Sequence, residues 1–118
     1  MKVTFDEVSY QCSKVVTERY STSFALATKM LHSSIRGHIY NIYGFVRFAD
    51  EIVDTFHDYD KVVLFDKFEQ ELEAALIDKI SLNPILNSFQ HTYHTYNIPK
   101  HLVDSFMKSM RMDLVKNV

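Results

Sequence analysis

The residues best suited to chemistry lie together in one stretch, Ile39-Tyr40-Asn41-Ile42-Tyr43-Gly44-Phe45-Val46-Arg47-Phe48-Ala49-Asp50-Glu51-Ile52-Val53-Asp54-Thr55-Phe56. At ~100° per residue on a helix, Asp50 and Asp54 fall ~40° apart on one face. Their side chains are then ~6 Å apart, within reach of shared divalent cations. Arg47 lies one turn earlier on the same side, and Tyr43 and Tyr40 continue the stripe. The opposite face carries Ile42, Phe45, Ala49, Ile52, Val53 and Phe56. Carboxylate oxygens are hard ligands that suit Mg²⁺, which keeps several waters and accepts substrate phosphates as further ligands. A guanidinium one turn away adds a planar fork of donors matched to phosphate oxygens. Together they describe a site for a diphosphate held by metal on one side and arginine on the other. The same spacing suits a solvated helix face with an Arg–Asp pair at i,i+3, so the residue types alone leave both readings open.

Other constellations are weaker. His91-x-x-His94 has no nearby Cys or Glu to complete a zinc site and reads as surface or packing histidines. Asp54-x-x-His57 lacks the second carboxylate–histidine pair of a di-iron bundle. Cys12 has no partner arrangement and reads as a packed side chain. Asp113 reads as a helix acid paired with Arg111 or Lys116. Gly44 within a helix costs about 1 kcal/mol against alanine, which points to close approach of a neighbouring helix or a ligand.

The elements that must position these residues are helical. Two Gly and two Pro in 118 residues are too few for sheets and tight hairpins, and apolar residues recur at three- and four-residue spacing almost throughout. Six helices are predicted. The first starts at a capping box, Thr4-Phe5-Asp6-Glu7, and runs to about Tyr20. Ser21-Thr22-Ser23 breaks it, and a short helix covers Phe24 to Leu31. Ser33-Ser34 caps the third, from about Ile35 to Phe56. Asp60 caps the fourth, to about Ile80; the fifth has Pro84 in its first turn and stops near Asn97; the sixth starts at Pro99. This last helix runs through Met110-Arg111-Met112-Asp113-Leu114-Val115 to the end with no stop signal, so the chain reads as the front part of a longer protein.

Composition narrows the partners. Thirteen basic against fifteen acidic residues give a net charge of −2 with no basic block, which excludes nucleic acid as the main partner. A single cysteine fits a reducing cytoplasm, no signal peptide is visible, and no apolar run approaches the ~18 residues of a membrane span.

Tyr43-x-x-x-Arg47-x-x-Asp50-Glu51-x-x-Asp54, preceded by Tyr20-Ser21-Thr22-Ser23-Phe24, resembles the squalene/phytoene synthase family of head-to-head prenyltransferases. Ile42 to Asp54 looks like the family's first aspartate-rich motif, and Tyr20 to Phe24 like an early H-S-x-S-F element. Asn83-Pro84-Ile85-Leu86, Asn97-Ile98-Pro99 and Met110 to Leu114 resemble later elements. Tyr20 stands where many members have His, and Glu51 where many have a second Asp. Family members are more than twice this length and carry a second aspartate-rich motif that nothing after Asp54 supplies.

The resemblance implies an all-α helical bundle, with residues 1–118 as the N-terminal part of a single type I isoprenoid synthase domain ending before that second motif. It implies Mg²⁺, with Mn²⁺ as a substitute, held by Asp50 and Asp54. Arg47 and Tyr43 would contact the diphosphate, and Tyr20, Ser21 and Ser23 would line its pocket. The substrates would be prenyl diphosphates, farnesyl or geranylgeranyl, joined head to head with loss of diphosphate to a phytoene, squalene or dehydrosqualene type of product. Participation of NADPH is left open. Location in the cytoplasm follows, with peripheral membrane contact suited to such apolar products. The 118-residue piece alone would be inactive and prone to self-association. The alternative is a non-catalytic helical protein that keeps this fold for binding or assembly.

Overall fold

A computed structural model describes residues 1–116, and the last two positions of the predicted sixth helix lie outside them. Six α-helices and no strand are present among the described residues: α1 (Lys2–Tyr20), α2 (Thr22–Thr28), α3 (Ser33–Asp54), α4 (Lys61–Asp78), α5 (Pro84–Thr95) and α6 (Lys100–Lys116). The all-α expectation therefore holds, element by element.

Local chemistry explains the boundaries, including those that differ from expectation. No capping box forms at Thr4. The helix starts two residues earlier, with Met1 as its cap and no side-chain cap bond, and Lys2 pairs with Asp6 one turn on at 2.9 Å. Only Ser21 breaks the chain between α1 and α2, at φ −149° and ψ 91°. Its hydroxyl accepts from Phe24 N at 3.2 Å, which draws Thr22 and Ser23 into the first turn of α2. His32, and not Ser33 or Ser34, caps α3: its Nδ1 accepts from Ser34 N at 3.1 Å. Asp60 caps α4 as expected, through Val63 N at 3.1 Å. Asn83 caps α5 through Ile85 N at 3.1 Å and Leu86 N at 3.3 Å, with Pro84 just inside. The left-handed residue Lys79 (φ 59°) ends α4, and Asn97 (φ 51°) follows α5.

The core lies between α3, α4, α5 and α6. Phe45 sits at its centre, stacked on Phe89 at 4.1 Å between ring centroids and flanked by Phe106 at 5.4 Å and Phe68 at 5.9 Å. Ala49, Ile52, Val53, Leu72, Leu86, Val103, Met107 and Leu114 close around it. Phe45, Ala49, Ile52 and Val53 are buried as their face predicts, whereas Phe56, past the end of α3, is exposed.

α1 packs differently. It buries Ser9, Ser13 and Thr17 and leaves Val3, Val8 and Val15 exposed. The small side chains let it approach α3 closely: a Cβ on Gly44 would stand 3.0 Å from Ser13 Oγ. Gly44 is thus the site of helix contact its position suggests. Ser9 and Thr17 satisfy their hydroxyls on Phe5 O and Ser13 O, both at 2.9 Å, and Ser13 shares a hydrogen bond with Ser88 of α5.

Candidate functional site

The C-terminal half of α3 brings Arg47, Asp50 and Asp54 to one face. Arg47 forks between two carboxylates: Nη1 donates to Asp50 Oδ2 at 3.0 Å and Nη2 donates to Glu51 Oε1. The Glu51 side chain is 11% exposed, Arg47 25% and Asp50 37%, so the fork has a buried prong and an open one. The guanidinium also lies over the Tyr20 ring, 4.7 Å from its centroid, a cation–π contact that ties the end of α1 to α3. The Glu51 hydrogen bond first, with the charges of Glu51 and Asp50, raises the Arg47 pKa against the opposing effect of burial.

The Asp50 pKa is raised as well, which for a carboxyl favours the neutral form. Burial comes first and Asp54 second in raising its carboxyl pKa, and they outweigh the lowering by Arg47. The neighbouring Asp54 carboxylate disfavours ionisation of Asp50, since two like charges share this end of the helix. Asp54 itself is exposed in the last turn of α3. Lys61, 7% exposed, donates from Nζ to Val53 O at 2.6 Å and so caps the helix beside it.

The remaining candidates lie nearby with different duties. Tyr43 stacks on Phe24 at 4.9 Å and 25° and fastens α2 to α3. Ser21 caps α2, and Ser23 stands exposed in its first turn. Tyr40 leaves the expected stripe: it is buried against Tyr10, because that side of α3 faces α1. An apolar hollow of about 400 Å³ does adjoin the group, lined by Tyr20, Phe48, Glu51, Ile52, Phe56 and Leu64 among others. Asp50 and Asp54 stand outside it, since the ~100° step from Asp50 turns Glu51 towards the hollow and leaves the aspartates on the open side.

The family model for squalene/phytoene synthase matches residues 17–118, a span that takes in Tyr20 to Asp54 whole. The chain belongs to the squalene/phytoene synthase family. Its six helices are accordingly part of the helical isoprenoid synthase fold. The squalene/phytoene synthase family comprises transferase-type enzymes of the head-to-head prenyltransferase kind, acting on prenyl diphosphates and in general dependent on divalent metal. Neither the curated proteins nor the solved structures compared with the chain give a match.

The donor set fits the family's metal. Asp50 and Asp54 offer hard carboxylate oxygens of the kind Mg²⁺ takes alongside water and phosphate. Their mutual crowding, visible in the raised Asp50 carboxyl, is a charge excess that a dication would neutralise. No cluster of three His, Cys, Asp or Glu side chains able to hold a metal occurs among the described residues. Arg47 Nε is buried without a partner, a further donor in the same group.

Two contributors escape a reading of the sequence. Glu51 looks like a variant aspartate of the motif, although its i,i+4 spacing from Arg47 is a sign that it holds the guanidinium. Lys61 has no local signal, because its role crosses the loop between two helices. Conversely, Asp113 is not the partner of Arg111, which reaches across to Asp66 at 2.8 Å and Glu69 at 2.9 Å on α4.

Proposed function

We propose that this chain supplies the first acidic half of the active site of a prenyltransferase that condenses two prenyl diphosphates head to head. The observation that carries the reading is the union of Arg47, Asp50, Asp54 and Tyr20 at one end of α3, inside the matched family span. On this reading residues 1–118 are the N-terminal part of one domain. A second acidic motif outside them closes the clamp, so this piece alone is inactive.

Asp50 and Asp54 would hold Mg²⁺, or Mn²⁺ in its place. When bound, the metal supplies positive charge that stabilises the departing diphosphate. Arg47 then donates to diphosphate oxygens, held at the right angle by Glu51 on its buried side and Tyr20 beneath it. Hydroxyls of Tyr20, Ser21, Ser23 and Tyr43 would serve as further donors. Phe48, Ile52, Phe56 and Leu64 line the adjoining hollow and keep water from the allylic cation left on the substrate. The double bond of the second prenyl diphosphate attacks that cation.

No helix among the described residues is long and apolar enough to cross a membrane. The reading places the protein in the cytoplasm, with peripheral membrane contact where an apolar product leaves. The test is to assay the full-length protein with Mg²⁺ and farnesyl or geranylgeranyl diphosphate in separate reactions. One donor is expected to yield diphosphate and a head-to-head hydrocarbon. Inertness with both favours the non-catalytic binding or assembly role.

A further inference from the structure

The turn of α3 that carries Asp54 is weak by its own sequence. Asp54 is the last residue of the helix and sets a carboxylate where the helix dipole is already negative, with no basic side chain in that turn. Thr55, next in the chain, is right-handed at φ −118° and ψ −43°. α3 thus lacks the left-handed stop that Lys79 gives α4. In a continuing helix His57 N would donate to Val53 O. Here it turns to Thr55 O instead, at 2.8 Å.

Lys61 supplies the missing donor from across the loop, and its placement is costly. It is the first residue of α4, at the positive end of that helix, where a cation is disfavoured. It is also 7% exposed, and its Nζ donates to a neutral acceptor, Val53 O, at 2.6 Å. Among the described residues the ion pairs belong to Lys2, Arg47, Lys100 and Arg111, and Lys61 joins none of them. A buried ammonium without a carboxylate is expensive, and starting α4 does not call for one. What offsets the cost lies on α3, where the cation meets the negative end of a helix and a carbonyl left over there.

That carbonyl belongs to the peptide joining Val53 to Asp54. The peptide unit is planar, so fixing Val53 O fixes the Asp54 nitrogen and Cα with it. Two carboxylates grip one ion well only when both are held in place by their surroundings. We infer that Lys61 is a positioning residue for metal: from the start of α4 it holds the Val53–Asp54 peptide and keeps Asp54 beside Asp50 as a ligand pair. The inference rests on the reading of those two aspartates as holders of divalent metal.

Mn²⁺ binding to the full-length protein with inorganic diphosphate present, followed by electron paramagnetic resonance, tests it without turnover. In Lys61→Met the Mn²⁺ dissociation constant is expected to rise at least tenfold. In Lys61→Arg, which keeps the cation and a donor, it should rise less than threefold. Amide hydrogen exchange over residues 52–56 should quicken in Lys61→Met while that of α5 stays as in the parent. Lys61→Gln, uncharged and one atom shorter, decides the matter if Lys61→Met fails to fold, with the same loss expected. Unchanged Mn²⁺ affinity in the folded variant overturns the inference even where exchange quickens, since Lys61 is then a structural cap alone. An equal loss in Lys61→Arg overturns it too, as does a parent protein that binds no Mn²⁺. Mn²⁺ affinity that depends on Lys61, in a protein inert toward both prenyl diphosphates, would support the inference and sink the transferase reading.

Discussion

Arg47 divides its guanidinium between a carboxylate that is nearly enclosed, Glu51, and one that is open, Asp50. The two should respond differently to substitution. Glu51→Gln removes the charge that holds the buried prong and leaves a partly buried cation short of a partner, a loss of about 1–3 kcal/mol in a urea titration. Asp50 should behave in the opposite sense. Its folded-state pKa lies above the ordinary carboxylate value. Its contribution to stability is then full below that ordinary value and lost as pH rises through the folded one. Asp50→Asn is thus expected to melt no lower than the parent protein at neutral pH without metal, with any advantage shrinking on acidification. A melting temperature that falls in the variant at pH 7 would contradict the raised carboxyl.

At the scale of the helices, the polar contacts of α1 carry more information than its apolar ones. Ser13 meets Gly44 and Ser88 in a junction where an added methyl group would press on Ser13 at 3.0 Å. Gly44→Ala gains helix propensity but forces Ser13 outward, and a net loss of about 1–3 kcal/mol is expected by chemical denaturation. Asn83→Ala, which frees Ile85 N and Leu86 N at the start of the most buried helix, should cost about 1 kcal/mol in the same measurement. The Pro84 start and the Asp60 cap were legible in the sequence because each is a local signal. The buried face of α1 was not. Ser9, Ser13 and Thr17 look like surface residues until residues from α3 and α5, far along the chain, come to rest on them. His32 escaped notice as a cap for a related reason: an imidazole seldom plays that part. Within the site, the Arg47, Asp50 and Asp54 face followed from helix spacing alone. The burial of Glu51 and the cap from Lys61 depend on where α1 and α4 lie.

For the molecule as a whole, a good deal of greasy surface is left open. A groove of about 1060 Å³ runs along the outer face of α1, with Val8, Cys12 and Val15 on one wall and Phe48 and Pro84 among the residues opposite. Cys12 is half-buried there and free. Ile77, Leu82, Leu102 and Met112 are exposed on other elements. Apolar surface of this extent favours association, so the 118-residue chain alone is expected to sediment as a concentration-dependent oligomer. A strictly monomeric boundary at high concentration would count against that expectation.

The most direct measurement is Mg²⁺-dependent diphosphate release from a prenyl diphosphate by the full-length protein carrying Asp50→Asn. The account predicts that release is abolished while the variant stays folded and melts no lower than the parent at neutral pH. Undiminished release would remove Asp50, and with it the acidic end of α3, from the reaction.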